Sequence, residues 1–155
     1  MGIIETLQKI VDYIEDNLKT EINAAELAKT SGISIYHFYD TFKEYVGMPV
    51  FAYITKRRLL HVVYEAQSGK RIGGLALEYG FNTYAGFYKA FKREYGCSPK
   101  KYFKVAFIKK PQPINLKEEA KFTHTKSQIR QLLANWDIDL KKDMDINNEV
   151  RGNSK

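Results

Sequence analysis

The apolar residues near the N-terminus recur at helical spacing. Ile3, Leu7, Ile10, Val11, Ile14 and Leu18 fall on one side, and Glu15, Asp16 and Lys19 fall on the other. This pattern predicts an amphipathic helix that ends near Asn17–Thr20. A second, short helix is expected over 24–31, with Leu27 and Ala28 inward and Gly32 stopping it. Ser34 is a good N-cap for a third helix that carries Phe38, Phe42 and Tyr45 on one side. Pro49 opens a longer helix from about 50 to 67, rich in Leu59, Leu60, Val62 and Val63, and Gly69 closes it. No segment alternates as a strand does, so the predicted class is all-α.

The pattern then repeats. Residues 27–54 read LAKTSGISIYHFYDTFKEYVGMPVFAYI, and residues 75–103 read LALEYGFNTYAGFYKAFKREYGCSPKKYF. Leu27, Ala28 and Gly32 match Leu75, Ala76 and Gly80 at an offset of 48. After a one-residue insertion, Phe38, Phe42, Lys43, Gly47 and Tyr53 match Phe87, Phe91, Lys92, Gly96 and Tyr102 at 49. Each copy is a short helix, a turn containing glycine and a longer, aromatic-backed helix. That is a helix-turn-helix used twice. The phenylalanines at i and i+4 are expected in the core rather than stacked on bases. Gly73 and Gly74 precede the second turn and weaken that helix by about 1 kcal/mol each relative to alanine.

Composition narrows the class. The 155 residues are 44% hydrophobic and 28% charged, which is globular and excludes collagen-like or wholly disordered chains. No apolar run approaches the roughly 20 residues of a membrane span, and Glu5, Asp12 and Glu15 argue against a secretory leader. A soluble, cytoplasmic protein is expected, with no membrane partner. Cys97 is the single cysteine, so an internal disulfide is excluded and a thiolate zinc cluster lacks ligands. It is expected as a small buried thiol rather than a reactive one. His37, His61 and His124 show no metal-ligand spacing, and no nucleophile–base motif is present. The sequence therefore carries no enzyme, metal or cofactor signature.

Charge is distributed unevenly. Residues 1–31 hold 3 lysines and 6 acids, whereas 32–103 hold 11 Lys+Arg and 5 acids. An acidic first helix followed by a basic centre fits a protein that presents one face to nucleic acid. Charge runs alone are more often plain solvated surface, so this one gains meaning only beside the repeat.

With LALEYGF, Phe87 and Phe91, FKREYG, and Ser98-Pro99…Tyr102, residues from about 5 to 103 resemble the double helix-turn-helix domain of the AraC/XylS family of bacterial transcription regulators. The resemblance covers about two thirds of the chain. It implies a DNA-binding regulator, an activator, with double-stranded DNA and RNA polymerase as partners. A helix of 18–20 residues spans roughly 27–30 Å, against roughly 34 Å between successive major grooves on one side of B-DNA. The helix joining the copies is thus long enough for one chain to cover an asymmetric site without dimerising.

The family's base-reading positions fall on Ile35, Tyr36, Tyr39 and Asp40 in the first copy, and on Tyr84, Ala85, Gly86 and Lys89 in the second. Major-groove discrimination ordinarily uses bidentate Arg, Asn or Gln. These positions are mostly aromatic or small, which predicts contact with thymine methyls, tyrosine hydroxyls on bases or phosphates, and shape readout. Asp40 can only accept, for instance from a cytosine amine, and Lys89 is the best base-edge donor. Expected phosphate contacts are Lys43, Arg57 and Arg58, then Lys92 and Arg93, with the helix N-termini at Ser34 and Thr83.

After Phe103 the composition shifts, and only Phe107, Phe122 and Trp136 remain of the 21 aromatic residues. Pro111 and Pro113 mark a linker. Thr125 and Gln128 would cap a helix bearing Ile129, Leu132, Leu133 and Trp136, with a polar end beyond it. Residues 104–155 are thus expected as linker and tail. The tail's apolar face would dock on the chain's own core, sense an effector, bind a partner, or lead into a further domain, which would make this chain the DNA-binding fragment of a larger regulator.

Overall fold

The computed structural model describes residues 2–118, and the tail helix expected after Thr125 lies outside them. Seven helices lie wholly within the described residues: α1 (Ile3–Asp16), α2 (Ala24–Ser31), α3 (Ile35–Val46), α4 (Val50–Ala66), α5 (Ile72–Glu78), α6 (Tyr84–Tyr95) and α7 (Pro99–Phe103). No strand occurs among the described residues, in agreement with the all-α expectation. They form two units, residues 2–57 with 112–118, and residues 58–111. Helix α4 begins in the first unit and finishes in the second.

In the first unit, Leu7, Ile10, Val11 and Ile14 of α1 are buried, and α2 packs against both α1 and α3. Asn23 caps α2 by accepting from the Glu26 amide at 2.9 Å, and Gly32 ends it at a φ of 73°. Leu18 is buried just past the end of α1, in the turn that follows.

The repeat seen in the sequence is a repeat of geometry. Ser34 caps α3 by accepting from the His37 amide at 3.3 Å, and Thr83 caps α6 by accepting from the Gly86 amide at 3.0 Å. Each long helix stops where a glycine amide reaches back four residues, Gly47 to the Lys43 carbonyl and Gly96 to the Lys92 carbonyl. These glycines hold φ values of 91° and 75°, a conformation that costs other residues roughly 1–2 kcal/mol. The aromatic cores match as well. Phe38 and Phe42 lie 5.9 Å apart, and Phe42 meets Tyr53 edge-on at 5.7 Å. Phe87 and Phe91 lie 5.8 Å apart, and Phe91 meets Tyr102 edge-on at 5.5 Å. Tyr102 sits on α7, which is the second unit's counterpart to the first turn of α4.

The residues after Phe103, expected as a linker, behave otherwise up to Glu118. In the second unit the Gln67 amide group brackets Ile108, donating to its carbonyl at 2.9 Å and accepting from its N–H at 2.5 Å. In the first unit Gln8 donates to the Ile114 carbonyl at 3.0 Å and accepts from the Leu116 N–H at 2.6 Å. Ile108, Pro111 and Leu116 are buried. Each glutamine supplies the donor and acceptor that a neighbouring strand would offer, so this extended strap satisfies part of its backbone without a sheet.

Candidate nucleic-acid interface

Helices α3 and α6 each bury one face and offer the other. Phe38, Thr41, Phe42 and Val46 turn inward on α3, and Phe87, Ala90, Phe91 and Tyr95 do so on α6. What remains outward follows from helical spacing. Tyr36, Asp40 and Lys43 are exposed at i, i+4 and i+7, and their counterparts Ala85, Lys89 and Lys92 are exposed in the second unit. Tyr36 keeps 81% of its surface and Tyr84 keeps 47%. Ile35 and Tyr39 are half-buried at the flank, where the Tyr39 ring lies 5.9 Å from Phe38 and 6.3 Å from Phe51. Gly86 is exposed beside its cap, and a Cβ there would meet the Thr83 hydroxyl at 3.2 Å. The base-reading candidates of each unit therefore lie on or beside the outward face of one helix.

Among the phosphate candidates, Ser34, Lys43, Thr83, Lys92 and Arg93 are exposed. Ser34 and Thr83 use their hydroxyls to cap, which leaves their helices' other leading amides for an anion. Arg57 is a correction. It is only 1% exposed, forms a two-pronged ion pair with Glu15, and donates to the Gln112 carbonyl at 3.1 Å. Its position on α4 faces α1, so its charge is consumed within the first unit and is not offered to phosphate. The same ion pair corrects the reading of Glu15, expected on the polar side of α1; its side chain is 9% exposed. Arg58 is half-buried over the turn of the second unit. A Cβ on Gly80 would sit 3.1 Å from its guanidinium carbon, and desolvation lowers its pKa. It packs against that turn rather than standing in solvent.

Three exposed residues escape a reading of the sequence by helical spacing. Phe51, on the first turn of α4, keeps 42% of its surface beside Tyr39. Lys100 and Lys101 are exposed on α7, at the positions equivalent to Phe51 and Ala52. The offset of 49 that aligns the copies is the signal that points to them.

Elsewhere the chemistry is quiet. Cys97 is half-buried, and burial raises its thiol pKa against the lowering effect of nearby Lys101. Burial also raises the Tyr53 phenol, with Arg57 opposing. Among the described residues no group of three His, Cys, Asp or Glu could hold a metal ion, and no helix is long and apolar enough to cross a membrane.

Comparison with known proteins agrees with this geometry. A family model described as a helix-turn-helix domain matches residues 27–104. The HTH-type transcriptional activator AarP of Providencia stuartii is 33% identical over 97 residues, covering 62% of this chain and 72% of AarP. The multiple antibiotic resistance protein MarA of Escherichia coli is 28% identical over 120 residues, covering 77% of this chain and 87% of MarA. The HTH-type transcriptional regulator YbfP of Bacillus subtilis is 30% identical over 120 residues, but the chain spans only 41% of its length. Among solved structures, the C-terminal domain of AraT, a response regulator from Geobacillus stearothermophilus, has a similar fold. Its TM-score is 0.61 at 20% identity, covering 74% of this chain and 94% of that one. With the duplicated unit, its matching caps and cores, and these relatives together, the chain belongs to the AraC/XylS family of helix-turn-helix transcription regulators.

Proposed function

We propose that the chain binds double-stranded DNA in a sequence-dependent way and activates transcription, with α3 and α6 entering successive major grooves. The observation that carries this reading is the duplication: each unit presents the outward face of one capped helix, built on the same aromatic core. Base contacts fall to Ile35, Tyr36, Tyr39 and Asp40 in the first unit and to Tyr84, Ala85, Gly86 and Lys89 in the second. Lys43, Lys92 and Arg93 hold phosphates, helped by the amides behind Ser34 and Thr83. The activator role rests on AarP, which is named as an activator, and RNA polymerase is the partner that such a role requires.

Selection of bound sequences from random duplex DNA, with footprint length recorded, tests the reading. Protection of two successive helical turns on one side of the duplex is the expected result. A footprint confined to about one turn counts against two-groove engagement. In an in vitro transcription assay on the selected site, added protein is expected to raise transcript yield, and a fall in yield overturns the activator role.

A further inference from the structure

The two copies share a backbone but not a surface. At equivalent positions on their outward faces, the first unit has Tyr36 and Asp40 where the second has Ala85 and Lys89. Farther along, Phe51 and Ala52 of the first unit stand where the second has Lys100 and Lys101, and all four are exposed. From cap to the end of the repeat, residues 34–54 hold Lys43 against Asp40 and Glu44, a net of −1. Residues 83–103 hold five cations against Glu94, a net of +4. Lys89, Lys92, Arg93, Lys100 and Lys101 are all exposed. Because the backbone is repeated, the contrast reflects side-chain chemistry alone.

We propose that the two units divide the work of recognition: the second anchors the protein on phosphates, and the first reads its part of the site through an apolar surface of Tyr36, Tyr39 and Phe51. This rests on the DNA-binding reading above. Affinity for phosphate depends on counterions displaced by cations, so the second unit supplies most of the salt dependence. The equivalent segment of the first unit, with Lys43 as its one cation and a net of −1, gains less from phosphate. The exposed rings of Tyr36 and Phe51, with half-buried Tyr39, instead bury apolar groups, and the thymine C5-methyl is the apolar group of the major groove. Phe51 is a positioning residue here: its ring lies 6.3 Å from that of Tyr39, and with Tyr36 the two make up the proposed apolar surface.

The experiment uses the full chain and a duplex recovered by the selection. Binding constants are measured at a series of potassium chloride concentrations, and again on duplexes carrying uracil in place of thymine, which removes single methyl groups. Lys100→Ala/Lys101→Ala is expected to lower the salt slope by about 0.9 for each phosphate that the variant no longer neutralises. Tyr36→Ala is expected to leave the slope unchanged. Uracil is expected to weaken binding by about fourfold for each buried methyl removed. That penalty should vanish in Tyr36→Ala, shrink in Phe51→Ala and persist in Lys100→Ala/Lys101→Ala. All of these side chains are exposed, and circular dichroism checks that each variant is folded. An unchanged slope in the lysine variant, a reduced slope in Tyr36→Ala, or a uracil penalty that survives Tyr36→Ala overturns the division. Failure of the folded wild-type chain to bind any duplex at low salt overturns the DNA-binding reading itself.

Discussion

Arg57→Met keeps most of the side chain's length and removes its charge, so it breaks the ion pair with Glu15 and the bond to the Gln112 carbonyl with little change in packing. In the folded protein Arg57 is 1% exposed and the Glu15 side chain 9% exposed. Without the guanidinium, Glu15 keeps its charge in a poorly hydrated place and the Gln112 carbonyl is deprived of a donor. Breaking a buried pair from one side costs about 3–5 kcal/mol. Against a total stability of about 5–15 kcal/mol, that is a large share. At about 2–4 °C per kcal/mol for a chain of this size, the melting temperature should fall by roughly 6–20 °C. Thermal unfolding followed by circular dichroism measures the drop. Adding Glu15→Leu removes the stranded carboxylate and should restore most of the stability, because apolar replacement of a buried pair is often neutral or better. Below its melting point the Arg57→Met variant should keep the wild-type salt slope on DNA. A melting temperature within about 2 °C of wild type, together with a slope reduced by about 0.9, would refute the argument and return Arg57 to the phosphates.

Gly80→Ala forces an L side chain into a φ of +85° and sets its Cβ 3.1 Å from the Arg58 guanidinium carbon. Gly32→Ala, at a φ of +73° with nothing within 4 Å, meets only the conformational cost of roughly 1–2 kcal/mol. Urea denaturation should therefore rank Gly80→Ala as the more damaging, and equal destabilisation would mean that Arg58 gives way freely. Gln67→Ala leaves the Ile108 N–H and carbonyl without the paired side-chain bonds, at about 1–3 kcal/mol. Faster amide exchange at Ile108 should accompany it, and unchanged exchange would show that the strap does not need this clamp. Because burial raises the Cys97 thiol pKa, less thiolate is present at about pH 8 than in an exposed thiol. Alkylation by iodoacetamide should be slower than for glutathione and accelerate as pH rises further; equal rates at that pH would contradict the burial.

Much of the fold is legible in the sequence because the forces that set it are local. The cap at Ser34 and the glycine stop at Gly32 act within a few residues, and the phenylalanines at i and i+4 mark a buried face by spacing alone. The outward placement of Tyr36 and Lys89 follows from the same spacing, since both lie off the apolar stripe. Periodicity does not separate Arg57 from Lys43, however, because both read as cations on amphipathic helices. Which flank of α4 meets α1 is decided by packing, not by the pattern along α4. Glu15 is misplaced by periodicity for the same reason: it borders the stripe of Val11 and Ile14, and only the neighbouring helix turns that border into interior.

The strap shows the limit most clearly. Gln8 and Gln67 look like ordinary polar surface residues, and Pro111 and Pro113 look like a linker. Their bonds join residues 41 positions apart in the second unit, and 106 and 108 apart in the first. By itself the sequence determined the helices, the duplication and the outward faces, because hydrogen-bonded turns and helical periodicity need only near neighbours. Tertiary structure alone decided which charges are spent inside and which remain at the surface, because desolvation and pairing depend on residues that the chain brings together from far apart.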